Sequence, residues 1–359
     1  MAGQPGFFDG EERLKALSAA GDPLERLAQV IDFEVFRRDL EPALSRSDRG
    51  KGGRPPYDAV LMFKVLVLQI LYTLSDDQTE YQLRDRLSFM RFTGLAMHDP
   101  VPDAKTIWLY REQLARAGAA ERLFARFDAL LREKGWLAMG GQIIDATVIA
   151  ARRPRLSQAE KDTIKGGGTP TEWTPARRAQ IDRDGRWTIK RGKKREAGPG
   201  DGHQRQVEIA VPVFGYKNHV GIDRAFGFLR RYTVTHAAAH DGGQLGAVLD
   251  RDNTASEVWA DTAYRSAANL DLLDHRGLKP QFQRKKPRGR KMPAHSARGN
   301  ATRARVRARV EHVFAAQKCR LGLVVRTIGM VRARVKIGLA NLAYNFTRLA
   351  WLNGRIAPA

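Results

Sequence analysis

One apolar stretch, Gln142-Ile-Ile-Asp-Ala-Thr-Val-Ile-Ala150, decides the fold of this 359-residue chain. Its β-branched residues are typical of a strand buried on both faces of a sheet. Aspartate is disfavoured within strands, so Asp145 either accepts internal hydrogen bonds as a structural carboxylate or faces a cation. Further strand patterns follow at 206–222, 226–235, 257–260 and 279–283. Because the later ones alternate with helical patterns, this order predicts a mixed α/β sheet with flanking helices.

Upstream of this strand the periodicity is helical. Apolar residues recur at helical spacing through 22–40, and 59–74 is apolar nearly all round, which is typical of a helix buried among others. The capping box Asp77-Gln-Thr-Glu80 predicts the start of another helix, and Asp103 predicts the next. We therefore predict an all-helical domain over residues 1–138 and an α/β domain over 139–359.

A segment of different composition interrupts the α/β half at about 152–205. It contains GGG, GPGDG, several prolines and many basic residues. Such composition predicts a flexible or weakly ordered basic insertion.

The positive charge of the chain is concentrated in its second part. Residues 1–140 carry 20 basic and 21 acidic side chains, a net charge of −1, whereas residues 141–359 carry 42 and 18, a net charge of +24. From 279 to 309 there are 12 Lys or Arg and no acid, including Arg284, Lys285 and Lys286. That density predicts binding to a polyanion, of which nucleic acid is the first candidate; a solvated surface is the alternative.

Composition also indicates the cellular compartment of the protein. A single cysteine, Cys319, excludes an internal disulfide framework and a site built on several thiolates, which favours a reducing cytosol. The first residues lack a signal-peptide pattern, and the most apolar run, 60–74, is too short and too polar for a bilayer span.

Two further acids stand out in the basic half. Asp261 ends the short strand pattern in VWADTAYRS, where ligand crevices form in α/β sheets, although an N-cap or turn role is the alternative.

Glu311 is the only acid after Asp274, on a predicted helix rich in arginine, where its alternative role is a simple ion pair. At 100° per residue, Arg307, Glu311 and Lys318 share one face of that helix. A carboxylate flanked by cations suits a metal ion beside phosphates.

The chain resembles the DDE transposases of bacterial insertion sequences, specifically the insertion-sequence-five group. The resemblance covers nearly the whole chain and is carried by blocks in the group's usual order: GDPLERLAQVIDFEVFR, GGRPPYDAVLMFKVLVLQILYTLSDDQTEYQLRDRLSFMRFTGL, IIDATVI, GYKNHVGID, WADTAYRS and RVRARVEHVFAAQK. The group's third-acid signature is Tyr, two residues, Arg, three residues, Glu, six residues, Lys. Arg307, Glu311 and Lys318 match this spacing, whereas the tyrosine position holds Ala304.

The resemblance implies a ribonuclease-H-like catalytic domain after the helical domain. It implies that Asp145, Asp261 and Glu311 are catalytic and bind metal, with two Mg²⁺ ions expected and Mn²⁺ as the alternative. The implied reaction is cleavage at the ends of the element and transfer of the 3′-hydroxyl strand into target DNA. Double-stranded DNA is the implied partner, in a homodimer or larger synaptic complex within the bacterial cytoplasm, at the nucleoid when bound.

Weaker signals complete the predicted DNA contacts. Lys217 and His219 alternate onto one face of a strand and could approach the scissile phosphate, with ordinary edge or surface roles equally favoured. Lys105 and Arg111 lie on the helix after Asp103, which could read a DNA groove or serve dimerisation. For Asp241 an N-cap role is favoured over metal binding.

Three other functions stay open at this point. The chain could be an inactive, transposase-derived DNA-binding protein, a hydrolytic nuclease of the same fold, or a basic protein that packs nucleic acid. All three acids are present, which favours the enzyme.

Overall fold

A computed structural model describes residues 8–44, 55–197 and 204–356. The chain forms two compact units: 1–137 with 315–323 and 334–359, and 138–314 with 324–333. The division predicted after residue 138 lies beside the start of the second unit at Ala138. However, it assigned 315–323 and 334–359 to the α/β domain, whereas the structure groups both segments with the N-terminal helices.

Helices dominate the first unit. Its N-terminal part contains α1 (Asp9–Ala19), α2 (Pro23–Val30), α3 (Arg37–Leu40), α4 (Ala59–Leu71), α5 (Asp76–Asp85), α6 (Leu87–Thr93), α7 (Ala104–Arg116) and α8 (Ala119–Glu133), with 3₁₀ turns at Phe33–Phe36 and Glu41–Ala43. A π-helical turn at Ala316–Arg320 and most of α15 (Met330–Ile356) complete it.

The core of the first unit is aromatic. Helix α4 begins where the Asp58 carboxylate accepts hydrogen bonds from the backbone of Val60 and Leu61, and 10 of its 13 residues are buried. The ring of Phe346 on α15 packs against Phe127, with centroids 4.8 Å apart. It also packs against Phe33 and Phe36, at 5.6 and 5.9 Å. Helix α15 therefore contributes to the same core as segments more than 200 residues earlier.

Local signals in this unit are close to those predicted, with one shift. Helix α5 begins two residues earlier than predicted, because Ser75 and Gln78 form the capping box instead of Asp77 and Glu80. No single helix in the described ranges is long and apolar enough to cross a membrane; α4 and α5 meet that test only as a pair bent by 107°.

The second unit contains the sheet. Its strands are β1 (Gln142–Ala150), β2 (Arg186–Ala197), β3 (Gln204–Asp223), β4 (Leu229–His236), β5 (Glu257–Ala260) and β6 (Lys279–Phe282). Its helices are α9 (Gln158–Lys165), α10 (Pro175–Gln180), α11 (Leu245–Val248), α12 (Ala267–His275), α13 (Ala294–Arg307) and α14 (Arg309–Ala315), with 3₁₀ turns at Asp241–Gln244 and Thr262–Tyr264.

The sheet is mixed, as predicted. Its order is β2-β3-β1-β5-β6, with β4 paired to β3. Strand β1 runs antiparallel to β3 and parallel to β5, and β5 runs parallel to β6. The first part of β3 pairs with β2 in a long two-stranded ribbon, and its last part pairs with both β1 and β4. Strand β1 is thus central, which explains its apolar sequence.

Much of the segment predicted to be flexible is ordered. Between 152 and 197 it contains α9, α10 and β2. The indole of Trp173 is 4% exposed and donates to Glu160 at 2.7 Å, while the Arg177 guanidinium lies over the ring and pairs with the same carboxylate. One buried tryptophan and one shared carboxylate therefore organise a sequence whose composition alone favours a loop. Residues 198–203 of the predicted insertion lie outside the described residues.

A fully buried ion pair closes the β3–β4 connection. Asp223 and Arg230 are 0% and 1% exposed, and the Arg230 Nε atom lies 3.1 Å from the Asp223 Oδ2 atom. The same carboxylate accepts backbone hydrogen bonds from Phe226 and Phe228. The turn predicted from DRAFG is therefore held by one carboxylate.

We predict that Asp223→Ala lowers the free energy of unfolding by about 3–5 kcal/mol, because it leaves a buried guanidinium without its counter-charge. Urea unfolding followed by circular dichroism measures the loss. The control is Asp252→Ala, which removes a carboxylate that is 56% exposed and 3.7 Å from Arg231. The control should change stability by no more than about 1 kcal/mol. Equal losses in both variants would contradict this role for Asp223.

Candidate active site

The sheet register brings two of the predicted acids side by side. In the parallel pairing of β1 and β5, Ile143 is the partner of Trp259. Counting two residues on along each strand places Asp145 level with Asp261, just beyond the end of β5. Neighbouring strands lie about 4.8 Å apart, and level residues of parallel strands point to the same face. Two carboxylates separated by 116 residues in sequence therefore become neighbours.

Asp145 is a buried carboxylate with a cationic partner. It is 8% exposed, and its Oδ2 atom accepts a 2.6 Å hydrogen bond from Arg307 at the end of α13. Its Oδ1 atom accepts from the backbone of Ala146. Burial raises the pKa of Asp145 to about 6, which Arg307 opposes and the nearby charge of Asp261 reinforces. Both roles considered from sequence are thus present: internal hydrogen bonding and a facing cation.

Asp261 also combines two roles. Its Oδ1 atom accepts from the backbone of Ala263 at 2.8 Å and so begins the 3₁₀ turn Thr262–Tyr264. The residue is only partly buried. The capping role predicted as the alternative is therefore real, and it fixes the carboxylate beside Asp145.

The buried hydroxyl of Tyr264 lies within electrostatic reach of this pair. Tyr264 is 0% exposed, and its hydroxyl has no hydrogen-bond partner among the residues that the structure describes. Burial is the largest cause that raises its pKa, followed by the carboxylates of Asp145, Asp241 and Asp261. Around this hydroxyl, the carboxylates of Asp145 and Asp261 are thus accompanied by that of Asp241.

Asp241 does not have the capping role predicted for it and instead contacts charged side chains. It is the first residue of a 3₁₀ turn rather than its N-cap, and its Oδ1 atom lies 2.8 Å from Lys217 Nζ and 3.8 Å from His219 Nδ1. The signal in the sequence was only HDGG after a strand, which does not separate a capping aspartate from one drawn into a charged cluster.

Lys217 and His219 share a strand face as predicted, but both are engaged within the protein. The Lys217 ammonium pairs with Asp241 and donates to the Ala239 carbonyl oxygen at 2.7 Å. His219 is 0% exposed, and its Nε2 atom lies 2.8 Å from the Thr235 hydroxyl. Burial lowers the pKa of His219 to about 4, so the ring is neutral at pH 7 and offers no charge to a phosphate.

A single amide joins the two acid-bearing turns. The Asn269 side chain donates to the carbonyl oxygens of Gly242 and Tyr264, at 2.9 and 2.8 Å. Gly242 packs so closely that a Cβ atom there would lie 2.5 Å from the Ala263 carbonyl oxygen. The position of the Asp261 turn therefore depends on a glycine at 242.

The structure does not bring Glu311 to the aspartates as a ligand. Glu311 is exposed in the first turn of α14. Among the described residues, no group of three or more His, Cys, Asp or Glu side chains is arranged to hold a metal ion. The predicted helix is also interrupted: α13 ends at Arg307, α14 begins at Arg309, and 316–320 is a π-helical turn. The 100° rule that placed Arg307, Glu311 and Lys318 on one face therefore does not apply across this segment.

The other predicted DNA contacts differ in their exposure to solvent and in their contacts within the protein. Lys105, Arg284, Lys285, Lys286 and Lys318 are exposed. Arg111 is instead bound within the helical unit, where its two terminal nitrogens donate to the two carboxylate oxygens of Asp76 at 2.7 and 2.8 Å.

Two family models match the sequence. The model described as Transposase domain (DUF772) matches residues 12–113, and the model described as Transposase DDE domain matches residues 136–346. The chain therefore belongs to the DDE transposases. No solved structure matches it.

Membership of this family implies dependence on a divalent metal ion. Asp145 and Asp261 fit such an ion, because carboxylate oxygens are hard ligands and this pair has the excess negative charge that a dication compensates. The Tyr264 hydroxyl lies within electrostatic reach of both carboxylates and has no hydrogen-bond partner among the described residues. That also fits a site that holds an additional polar group. In this structure the guanidinium of Arg307 supplies the positive charge beside Asp145.

We predict that Gly242→Ala destabilises the protein by about 1–3 kcal/mol, because the added methyl group must displace the Ala263 backbone. DNA cleavage should fall in parallel, since that backbone carries Asp261. The control is the adjacent Gly243→Ala, where a Cβ atom would meet nothing within 4 Å. Thermal unfolding and a cleavage assay compare the two. A Gly242→Ala variant that matched Gly243→Ala in both would contradict the packing argument.

Proposed function

We propose that this protein is an active DNA transposase of the insertion-sequence-five group. It would cleave the ends of its element and transfer the 3′-hydroxyl strand into target DNA by metal-dependent phosphoryl transfer. The observation that carries the proposal is the level pair Asp145 and Asp261, on neighbouring parallel strands, with Arg307 bound to Asp145.

We also propose a ribonuclease-H-like arrangement for the second unit. Its sheet has β1, β3 and β4 antiparallel, followed by β5 and β6 parallel to β1. The mixed order supports this assignment, with the ribbon of β2 and early β3 as an addition.

In the proposed reaction, Asp145, Asp261 and Glu311 hold the divalent ions, with Mg²⁺ expected. When bound, such ions stabilise the attacking and leaving oxygens of an in-line displacement at phosphorus. Glu311 would join the aspartates through a movement of α14, which follows the break at Ala308. Arg307 would then turn from Asp145 to a phosphate oxygen, for which its planar guanidinium is suited.

The proposed partner is double-stranded DNA, which two copies of the protein would bring together by its ends. Exposed Lys105 and the basic run that includes Arg284, Lys285 and Lys286 support DNA contact in both units. Lys318 would add a phosphate contact near Glu311 in sequence.

A second function has a specific observation in its favour. The chain could bind DNA as a transposase-derived protein without catalysing transfer, because Arg307 already neutralises Asp145 and Glu311 is not gathered with the aspartates. This alternative keeps DNA binding and removes the chemistry.

Separate variants of the three acids test the proposal. The substrate is labelled DNA carrying the sequences that flank the coding region, incubated with purified protein and Mg²⁺ or Mn²⁺. We expect Asp145→Asn, Asp261→Asn and Glu311→Gln each to lower cleavage and joining by at least about 100-fold, since each removes a charge that holds the ions. Their affinity for the same DNA should stay within a few-fold of wild type.

The matched control is Asp274→Asn, an exposed carboxylate on α12 in the same unit, which should cleave like wild type. Wild-type protein that binds the DNA but leaves it intact with both metals would favour the binding protein. Full activity of Glu311→Gln alone would remove Glu311 from the proposed site.

A further inference from the structure

The ordered insertion contains a cavity with an excess of positive charge. The cavity has a volume of about 550 Å³ and is lined by Arg152, Arg153, Arg155 and Arg177. Asp182 is the only acid in the lining. We call this feature the arginine cavity.

The charges of the arginine cavity are only partly compensated. The Asp182 carboxylate accepts from the Tyr216 hydroxyl and from the backbone of Asp184 and Gly185. The side chains of Arg152 and Arg155 are exposed and form no hydrogen bond or ion pair with any residue that the structure describes. Two guanidinium groups are therefore available to a ligand.

The other two arginines are held in place. The Arg153 guanidinium lies 5.3 Å from the Trp187 ring centroid and donates to the Pro212 carbonyl oxygen. Arg177 pairs with Glu160 at 2.7 Å. The cavity thus combines two arginines that have partners within the protein with two that have none among the described residues.

The arginine cavity lies beyond the end of the strand that carries Asp145. The chain stays extended past Ala150, because Ala151 bridges to Val325 and the Arg152 amide donates to the Val325 carbonyl oxygen. Seven residues from Asp145 to Arg152 span roughly 23 Å at about 3.3 Å per residue. A DNA backbone that reached both places would therefore contact the cavity several nucleotides from the reacting phosphate, since a B-DNA strand rises about 3.4 Å per nucleotide along the duplex axis.

We propose that the arginine cavity binds the phosphodiester backbone of DNA several nucleotides from the reacting phosphate. The proposal rests on the proposed function for its ligand, since it takes DNA as the substrate. Arginine is suited to phosphate because its planar donors form paired, charge-assisted hydrogen bonds. Residues 152–197 carry 14 Lys or Arg and six Asp or Glu, so the surrounding segment also favours a polyanion.

The test compares a double variant, Arg152→Ala with Arg155→Ala, with a matched control, Arg251→Ala with Arg276→Ala. All four side chains are exposed in the second unit, and the control pair lies outside the cavity lining. DNA binding is measured with EDTA over a range of salt concentrations, so that the result does not depend on cleavage. We expect the cavity variant to bind at least about 10-fold more weakly. Its log–log salt slope should shrink by up to about 2, because each phosphate that the protein no longer neutralises reduces the slope by about 0.9.

Neutral methylphosphonate linkages, placed one at a time along the DNA, locate the contact. A neutral linkage at one or two positions, several nucleotides from the cleaved bond, should weaken binding by wild type and by the control, but not by the cavity variant. The charge-preserving variant Arg152→Lys with Arg155→Lys should recover most of the salt slope.

Equal loss of affinity in the cavity variant and the control, or no loss in either, would overturn the arginine cavity as a DNA site. So would methylphosphonate effects that are the same in wild type and the cavity variant. If the cavity variant behaves as expected while wild-type protein fails to cleave with metal, the cavity stands and the proposed catalysis fails.

Discussion

The contact between Asp145 and Arg307 is the interaction on which the second unit depends. A carboxylate in the middle of a central strand loses most of its hydration, and a cation must compensate for that loss. Arg307 does so from the end of α13, 162 residues away in sequence. The pair therefore joins the centre of the sheet to a helix built from the most basic part of the chain. In the proposed reaction, the same need for positive charge would make Asp145 a ligand for a cation, and phosphate would become the alternative partner of the guanidinium.

The register of β1 supplies the second constraint. With β3 antiparallel on one side and β5 parallel on the other, a one-residue slip of β1 would turn Asp145 to the opposite face of the sheet, away from Arg307. That fixed register sets Asp145 beside Asp261. The turns that follow β4 and β5 are then held together by the Asn269 amide and by close packing at Gly242.

Sequence patterns predicted the elements better than their partners. The strand at 142–150 and the short strand at 257–260 have the predicted bounds, because each is a buried apolar run ended by polar residues. The insertion was misjudged because its order depends on a contact between Trp173 and Glu160, which composition does not reveal. Asp241 and Arg111 differ from their predicted roles for a similar reason: a carboxylate or guanidinium has the same sequence signature whether it faces solvent or a partner elsewhere in the fold. The interruption at Ala308 separated Arg307 from the helix of Glu311, and no proline or glycine marks it.

The contribution of α15 to the first unit has a consequence for biosynthesis. Phe346 completes a core whose other rings, Phe33, Phe36 and Phe127, leave the ribosome more than 200 residues earlier. At about 5–20 residues per second, translation of the intervening chain takes roughly 10 to 45 s. During that interval an apolar surface on the nascent helices stays open to solvent and to chaperones. The second unit, residues 138–314 and 324–333, is synthesised within the same interval. All of it has therefore been translated before Phe346 can complete the core of the first unit.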